Sequence, residues 1–473
     1  MNVSGRQRVI PFAAIVVFVM CAIAAFIIIV NAPPKYDTIF LLPLIFGFLS
    51  LIFLDVYQKM AKSITIAIFV SLMAVKNILT PLCMALSNGQ FRAMVNTEDY
   101  MFYAVLLQIY ETIAIFVVLH RKSTKIGAAV QERYVGCFDF NKKYIKTFRV
   151  FTLLLTIIVF GVVIRYPKLL AYISVGISGD KATNIQNTIL RSEMRSTVPS
   201  MIYYLYSYCL NLLRWAFPIS VIFSLYASKK GNERIKLLIS FVSVIISAAI
   251  TTDTVAVSLF IFLSLSFVLS RLYPSKSRLI IRASIFLVIG IGVLWISLKS
   301  FGNERMGHTT MDDAAQLLQA YFSGPENVAV ALAIDSPFGL NEAIGNIFKF
   351  IPYIMYFFKE FISSNSLFNY TFWGRSGIES QIIPMISQGA RCFSVVLAPL
   401  FIVIISNIAI SSEIKAYQKN TLFDFTIFTI MGTCFSIATF MYSASLCIQL
   451  FFNYIFPIMI FAWISNKTSI GSN

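Results

Sequence analysis

Charge is what this sequence has least of. Only 12% of its 473 residues are charged, about half the roughly 25% of a soluble domain. Acidic residues are the scarcest, 21 against 38 basic ones, for a formal net charge of +17. Recognisable enzyme signatures are also missing. There is no Walker loop, His-Glu-x-x-His, nucleophile elbow or Asp-x-Asp, so nucleotide hydrolysis, zinc proteolysis and serine hydrolysis lose their usual markers. Without Asp-x-Asp, a metal-dependent nucleotide-sugar enzyme is not expected; neither a cofactor nor a metal is. The seven cysteines (Cys21, Cys83, Cys137, Cys209, Cys392, Cys434, Cys447) are scattered, with no Cys-x-x-Cys. They imply neither a disulfide framework nor a metal site. Internal repeats and low-complexity tracts are absent as well.

What the chain has in excess is apolar surface, 58% of residues. A spanning helix needs about 20 such residues. Twelve runs qualify: Val9–Val30, Thr38–Tyr57, Ser63–Leu86, Tyr100–Leu119, Phe148–Arg165, Met201–Ala227, Ile235–Thr252, Thr254–Leu272, Leu279–Leu298, Met385–Ile410, Leu422–Met441 and Ser445–Ser465. The expected fold class is therefore an all-α polytopic membrane protein, a single integral-membrane domain over 1–473. Val9–Val30 is too long for a signal-peptide core and no small-residue cleavage site follows it, so it reads as a retained first helix.

Basic residues give the orientation. With the N-terminus inside, the inner segments hold 23 of the 38 basic residues, as the positive-inside rule expects. The excess charge therefore reports membrane topology and not nucleic-acid binding. Both termini are expected to be cytoplasmic. Two segments fall outside: 166–200, and the long loop 299–384 between the ninth and tenth runs. Residues 300–384 carry four basic and eight acidic residues, a net of −4. That loop keeps aromatic and apolar residues throughout and reads as a lid or wall over a site on the membrane helices. Within it, Ala343–Ile362 is apolar but interrupted by Lys349, Pro352, Lys359 and Glu360, which suggests an interfacial or re-entrant helix.

The outer half contains arginines that this rule does not explain: Arg165, Arg191, Arg195, Arg305, Arg375 and Arg391, with Arg214 inside the sixth run. An arginine within a span faces a cavity or a partner. Arg191 and Arg195 are four apart and share a helix face. As a set, Arg191, Arg195, Arg214, Arg305, Arg375 and Arg391 suit a clamp for an anionic, lipid-linked substrate, because guanidinium binds phosphate bidentately. The plainer reading is snorkelling to headgroups or pairing with acids. Glycosyl transfer needs an acceptor for a hydroxyl proton. Asp253, in the tight turn Thr251-Thr252-Asp253-Thr254, Glu379 and His308 are the candidates. For Asp253 the plain alternative is a turn cap, and for His308 a solvated loop position.

The layout of twelve helices, two outer segments with arginines and a long loop after the ninth helix resembles the bacterial O-antigen polymerases (the Wzy type). Locally, Ala320-Tyr321-Phe322-Ser323-Gly324-Pro325-Glu326-Asn327 is similar to the start of that family's loop, and Ile383-Pro384 to Pro399 to its return into the membrane. Arg165 and Gly176 also fit an Arg-x10-Gly spacing. The turn at Thr251–Thr254 departs from the small-residue-plus-Arg turn of related polymerases and ligases. The resemblance implies an integral-membrane glycosyltransferase-like bundle in the bacterial inner membrane. Its substrate would be oligosaccharide on undecaprenyl diphosphate, polymerised at the periplasmic face without metal or nucleotide. A flippase and a chain-length regulator would be partners. Three rivals remain: an O-antigen ligase, which His308 keeps open; a lipid-linked oligosaccharide flippase, which the long loop and the missing repeat disfavour; and a non-catalytic membrane scaffold.

Overall fold

The structure, a computed structural model, describes residues 3–60, 62–87, 89, 93–132, 142–169, 197–228, 231–250, 255–303, 309–335, 339–349, 351, 354, 357, 363–375, 381–419 and 421–470. Its regular elements there are helices. The N-terminal ones are α1 (Val3–Asn31), α2 (Leu41–Ile52), α3 (Leu54–Met60), α4 (Ile64–Ala74), a π turn at Val75–Leu79, α5 (Thr80–Ala85) and α6 (Met101–Glu132). Next come α7 (Lys142–Arg165), α8 (Ser200–Ala227), α9 (Glu233–Ala249), α10 (Val255–Leu272) and α11 (Ser277–Asn303). The long acidic segment supplies α12 (Thr310–Phe322), α13 (Pro325–Leu332), α14 (Leu340–Phe348) and α15 (Ser364–Trp373). The chain closes with α16 (Met385–Phe393), α17 (Leu400–Gln418), α18 (Leu422–Met441), α19 (Ala444–Leu450) and α20 (Phe456–Ile470).

Among the described residues, eight helices are long and apolar enough to cross a membrane, or up to ten if each of two bent pairs is one span. The chain is a multi-pass helical membrane protein. Both bends have local causes. Between α2 and α3 the axis turns by 82°, where Phe53 adopts φ −100 and ψ 50 and leaves the helical region. Between Val257–Leu272 and Pro274–Gly290 it turns by 116°. There Pro274 pushes the preceding Tyr273 to φ −119, ψ 70.

Where the sequence suggests one bundle, the contacts divide the chain into two compact units. The first holds Met1–Tyr134, Asn303–Gln418 and Gly432–Gln449; the second holds Val135–Gly302, Lys419–Met431 and Leu450–Asn473. In the second, α7 packs on α8, and α8, α9 and α10 are neighbours. Phe148, Phe223 and Phe423 form a triangle there, with ring centroids 5.9 to 6.2 Å apart, a spacing at which aromatic pairs attract edge to face.

In the first unit α17 packs along α6 and fixes the start of α4. Glu413 of α17 accepts the Ile64 and Thr65 backbone N–H groups at 3.0 and 3.1 Å, and the Ser63 hydroxyl accepts from Ile66. These are the donors a helix start leaves unsatisfied.

Two expectations change. The run Met385–Ile410 is not one span. It breaks after α16, where Ser394 takes φ +122, a conformation that ends a helix. The chain then doubles back so tightly that a Cβ on Gly389 would lie 2.0 Å from the Ala398 carbonyl oxygen; only glycine fits. The second change concerns the acidic segment. Its first two helices are not loop-like: α12 packs on α5 and α13 on α6, and every residue from Pro325 to Ala331 is buried. Of the helix expected over Ala343–Ile362, only 343–348 falls within α14, and most of 350–362 lies outside the described residues.

Candidate functional site

The third and fourth apolar runs each carry one charged residue, Lys76 and Glu111, and the fold joins them. Lys76 Nζ donates to Glu111 Oε2 at 2.6 Å, with both side chains 3% exposed. Lys76 lies in the π turn Val75–Leu79. Pro81, which follows, has no N–H and crowds the carbonyl four residues back, at Asn77. A wider turn relieves that clash, and the Thr80 hydroxyl donates to the Val75 carbonyl. On α6, Gln108, Glu111 and Thr112 share one face. Glu111 is ten residues past Met101, about 15 Å along the axis. The Thr112 hydroxyl, with one proton to give, donates to the Gln108 carbonyl at 2.8 Å and lies 3.3 Å from Asn77 Oδ1, its alternative acceptor.

Above this layer sits the corner between α12 and α13. Gln108 Nε2 donates to the Ser323 carbonyl at 2.8 Å, and Ser323 has a left-handed backbone (φ 51). A Cβ on the adjoining Gly324 would meet Gln319 Oε1 at 2.0 Å and Thr80 Cγ2 at 2.8 Å. The stretch 320–327 that carries the local resemblance is therefore a corner pressed onto α5, buried from Ser323 to Asn327.

Glu326, 0% exposed, anchors this corner. Its carboxylate accepts from Tyr36 Oη at 2.8 Å, Thr97 Oγ1 at 3.0 Å and the Ala93 N–H at 2.9 Å. Beside it, Glu98 bonds Lys35 at 2.9 Å and holds that ammonium above the usual lysine range. Asp312 closes a capping box with Thr309 at the start of α12, and Asp312 and Asp313 are both buried. Downstream, Asn369 pairs through its amide with both backbone groups of Gln381, and Asn365 accepts from the Ile383 N–H. Two asparagines one helical turn apart thus hold an extended strand-like segment against α15.

The expected site residues fare unevenly. Arg191, Arg195, Asp253, Arg305, His308 and Glu379 lie outside the described residues. Arg214, 2% exposed, is in the second unit. Its Nε donates to the Ser247 carbonyl at 3.3 Å, Nη1 to Asn211 Oδ1 at 3.3 Å and Nη2 to Ser258 Oγ at 2.8 Å. It ties α8 to α9 and α10. Arg375 is exposed, one residue after Gly374 ends α15 with φ +64. Arg391 differs from the expected clamp: its Nη1 donates to the Ala331 and Ile334 carbonyls at 2.9 and 3.0 Å. A cation on the last carbonyls of α13 complements that helix end, so Arg391 is a cap. No group of three His, Cys, Asp or Glu placed to hold a metal occurs among the described residues.

Sequence reasoning passed over Lys76 and Glu111. The signal was available: one lysine in one apolar run and one glutamate in the next, each too costly to bury alone. It also assigned no role to Glu326, whose partners Tyr36 and Thr97 are 290 and 229 positions away. No protein-family model, curated protein or solved structure matches the chain.

Proposed function

We propose that this protein polymerises lipid-linked oligosaccharides, as an O-antigen type polymerase of the bacterial inner membrane. An acceptor hydroxyl oxygen bonds the anomeric carbon of the growing chain while that carbon's bond to the diphosphate breaks. The hydroxyl proton passes to a base, for which Asp253, Glu379 and His308 are the candidates, and undecaprenyl diphosphate leaves. Energy is already present in the donor, so no nucleotide site is required. The departing diphosphate calls for fixed positive charge, which Arg191, Arg195, Arg214, Arg305 and Arg375 would provide; Arg391 is left to its helix.

The observation that carries this reading is the burial of the acidic segment's first helices, α12 and α13, against α5 and α6. A segment expected at one face is built into the helix bundle, as a one-sided catalytic wall requires. A flippase, by contrast, is expected to have two similar halves, and the two units here differ in content: α12 to α16 belong wholly to the first.

The deciding experiment is the lipopolysaccharide ladder of a deletion strain. A core capped by one repeat is expected, with the ladder restored by the plasmid-borne chain. A core without any antigen would replace this reading with a ligase or a flippase.

The proposal includes twelve spans with both ends cytoplasmic. Reporter fusions at Asn141 and Lys230 are expected to read cytoplasmic, and fusions at Asn187 and Asn341 periplasmic. A periplasmic reading at Lys467 would overturn the even count.

A further inference from the structure

Within the second unit, α9 and α11 enclose a groove of about 430 Å³. The size suits a small ligand or a lipid chain. Leu237 and Phe241 line it from α9, Leu279 and Ile280 from α11; Arg234 and Lys276 stand at one end. Tyr273, three residues before Lys276, lies within electrostatic reach of Glu233, the neighbour of Arg234, and its ring is 6.3 Å from that of Tyr226 near the end of α8, so the starts of α9 and α11 lie at the same end. The two helices therefore run parallel, and the groove runs along them from a cationic mouth into an apolar channel.

The surroundings reinforce that polarity. Ile235, Leu238, Ile239 and Val242 on α9 and Leu279, Ile281 and Ile285 on α11 are exposed, as on helix faces that meet acyl chains. In sequence, Arg271, Arg278 and Arg282 flank Lys276, and Glu233 is the acid next to Arg234. Lys236 is turned away to the Ser228 carbonyl, and Arg271 lies over the Phe267 ring at 4.8 Å. Arg234 is exposed and Lys276 half-buried, so both can reach a headgroup. A guanidinium and an ammonium together offer a fork and a point charge to one phosphate.

We propose that this groove binds an anionic phospholipid of the bilayer, with its phosphate held by Arg234 and Lys276 and one acyl chain laid between α9 and α11. The charge selects the headgroup: a zwitterionic lipid offers the same chain and phosphate, but its own cation faces the mouth. The inference rests on the multi-pass membrane setting and is independent of the polymerase proposal. Lipid binding and the sugar ladder can fail separately.

The test uses the purified full-length protein in detergent, titrated with phosphatidylglycerol, phosphatidylcholine or undecaprenyl diphosphate and read by native mass spectrometry. Phosphatidylglycerol is expected to bind preferentially. The double variant Arg234→Gln, Lys276→Gln is expected to weaken it about thirtyfold, since each surface cation adds about 1 kcal/mol to anionic-lipid attraction. Ala283→Phe, which fills the channel and leaves both cations, is expected to weaken it as well. Equal binding of the two phospholipids, or unchanged phosphatidylglycerol affinity in either variant, would overturn the assignment. So would undecaprenyl diphosphate displacing phosphatidylglycerol in a manner that Arg234→Gln, Lys276→Gln abolishes, since the occupant would then be the polyprenyl diphosphate.

Discussion

Glu111→Leu is expected to strip most folded protein from the membrane, and Lys76→Met added to it to restore much of the loss. The single change leaves the Lys76 ammonium, 3% exposed, without its carboxylate. Breaking a buried ion pair from one side costs about 3–5 kcal/mol, whereas replacing both partners with apolar residues of similar volume is often neutral. Against a total stability of about 5–15 kcal/mol, the single loss is severe. Glu111 also shares its helix face with Gln108, which holds the Ser323 carbonyl, so strain at the pair reaches the corner between α12 and α13. The measurement is membrane abundance, with the fraction surviving heating read by fluorescence-detected size-exclusion chromatography. A Glu111→Leu protein as abundant and heat-resistant as the native chain would show that the pair contributes little. Failure of the double variant to recover would show that the π turn at Val75–Leu79 needs the lysine itself.

That pair marks the boundary of what sequence reading reaches here. Runs of apolar residues locate α1, α6, α7, α8 and α18, because crossing a membrane requires length and apolarity and both are written locally. Arg214 was legible for the same reason, as a charge where none is cheap. The break between α16 and α17 was not. It depends on Ser394 holding a positive φ while Ala398 packs on Gly389, and those are decisions of tertiary packing. The burial of α12 and α13 was hidden more deeply. Asp312, Asp313 and Glu326 read as solvent-facing charge until their partners are known. Thr309 is only three positions from Asp312, but Tyr36 and Thr97 lie in separate connections far up the chain. An acidic count therefore does not show that three of the segment's eight carboxylates, Asp312, Asp313 and Glu326, are buried.

The sharpest test of the polymerase proposal is Arg214, where lysine and alanine are expected to part. Its guanidinium bonds Ser247, Asn211 and Ser258, which join α8 to α9 and α10. Lysine keeps the charge but lacks the planar fork and can satisfy only some of those acceptors at once. Alanine removes charge and fork together and leaves the space of one of the largest fully buried side chains. If the charge also faces the departing diphosphate, Arg214→Lys gives shortened ladders at normal abundance and Arg214→Ala gives nearly none. The expected loss for alanine is about 2–4 kcal/mol of transition-state stabilisation, by analogy with other charge-stabilising donors. A tie between helices would also lower activity by lowering folded protein, so polymer must be read per unit of protein in the membrane. On that scale the two roles separate: a tie alone leaves the remaining molecules fully active, and a clamp leaves them present but inert. Full-length polymer from Arg214→Ala at equal abundance would remove Arg214 from the site and leave it as the bolt between three helices.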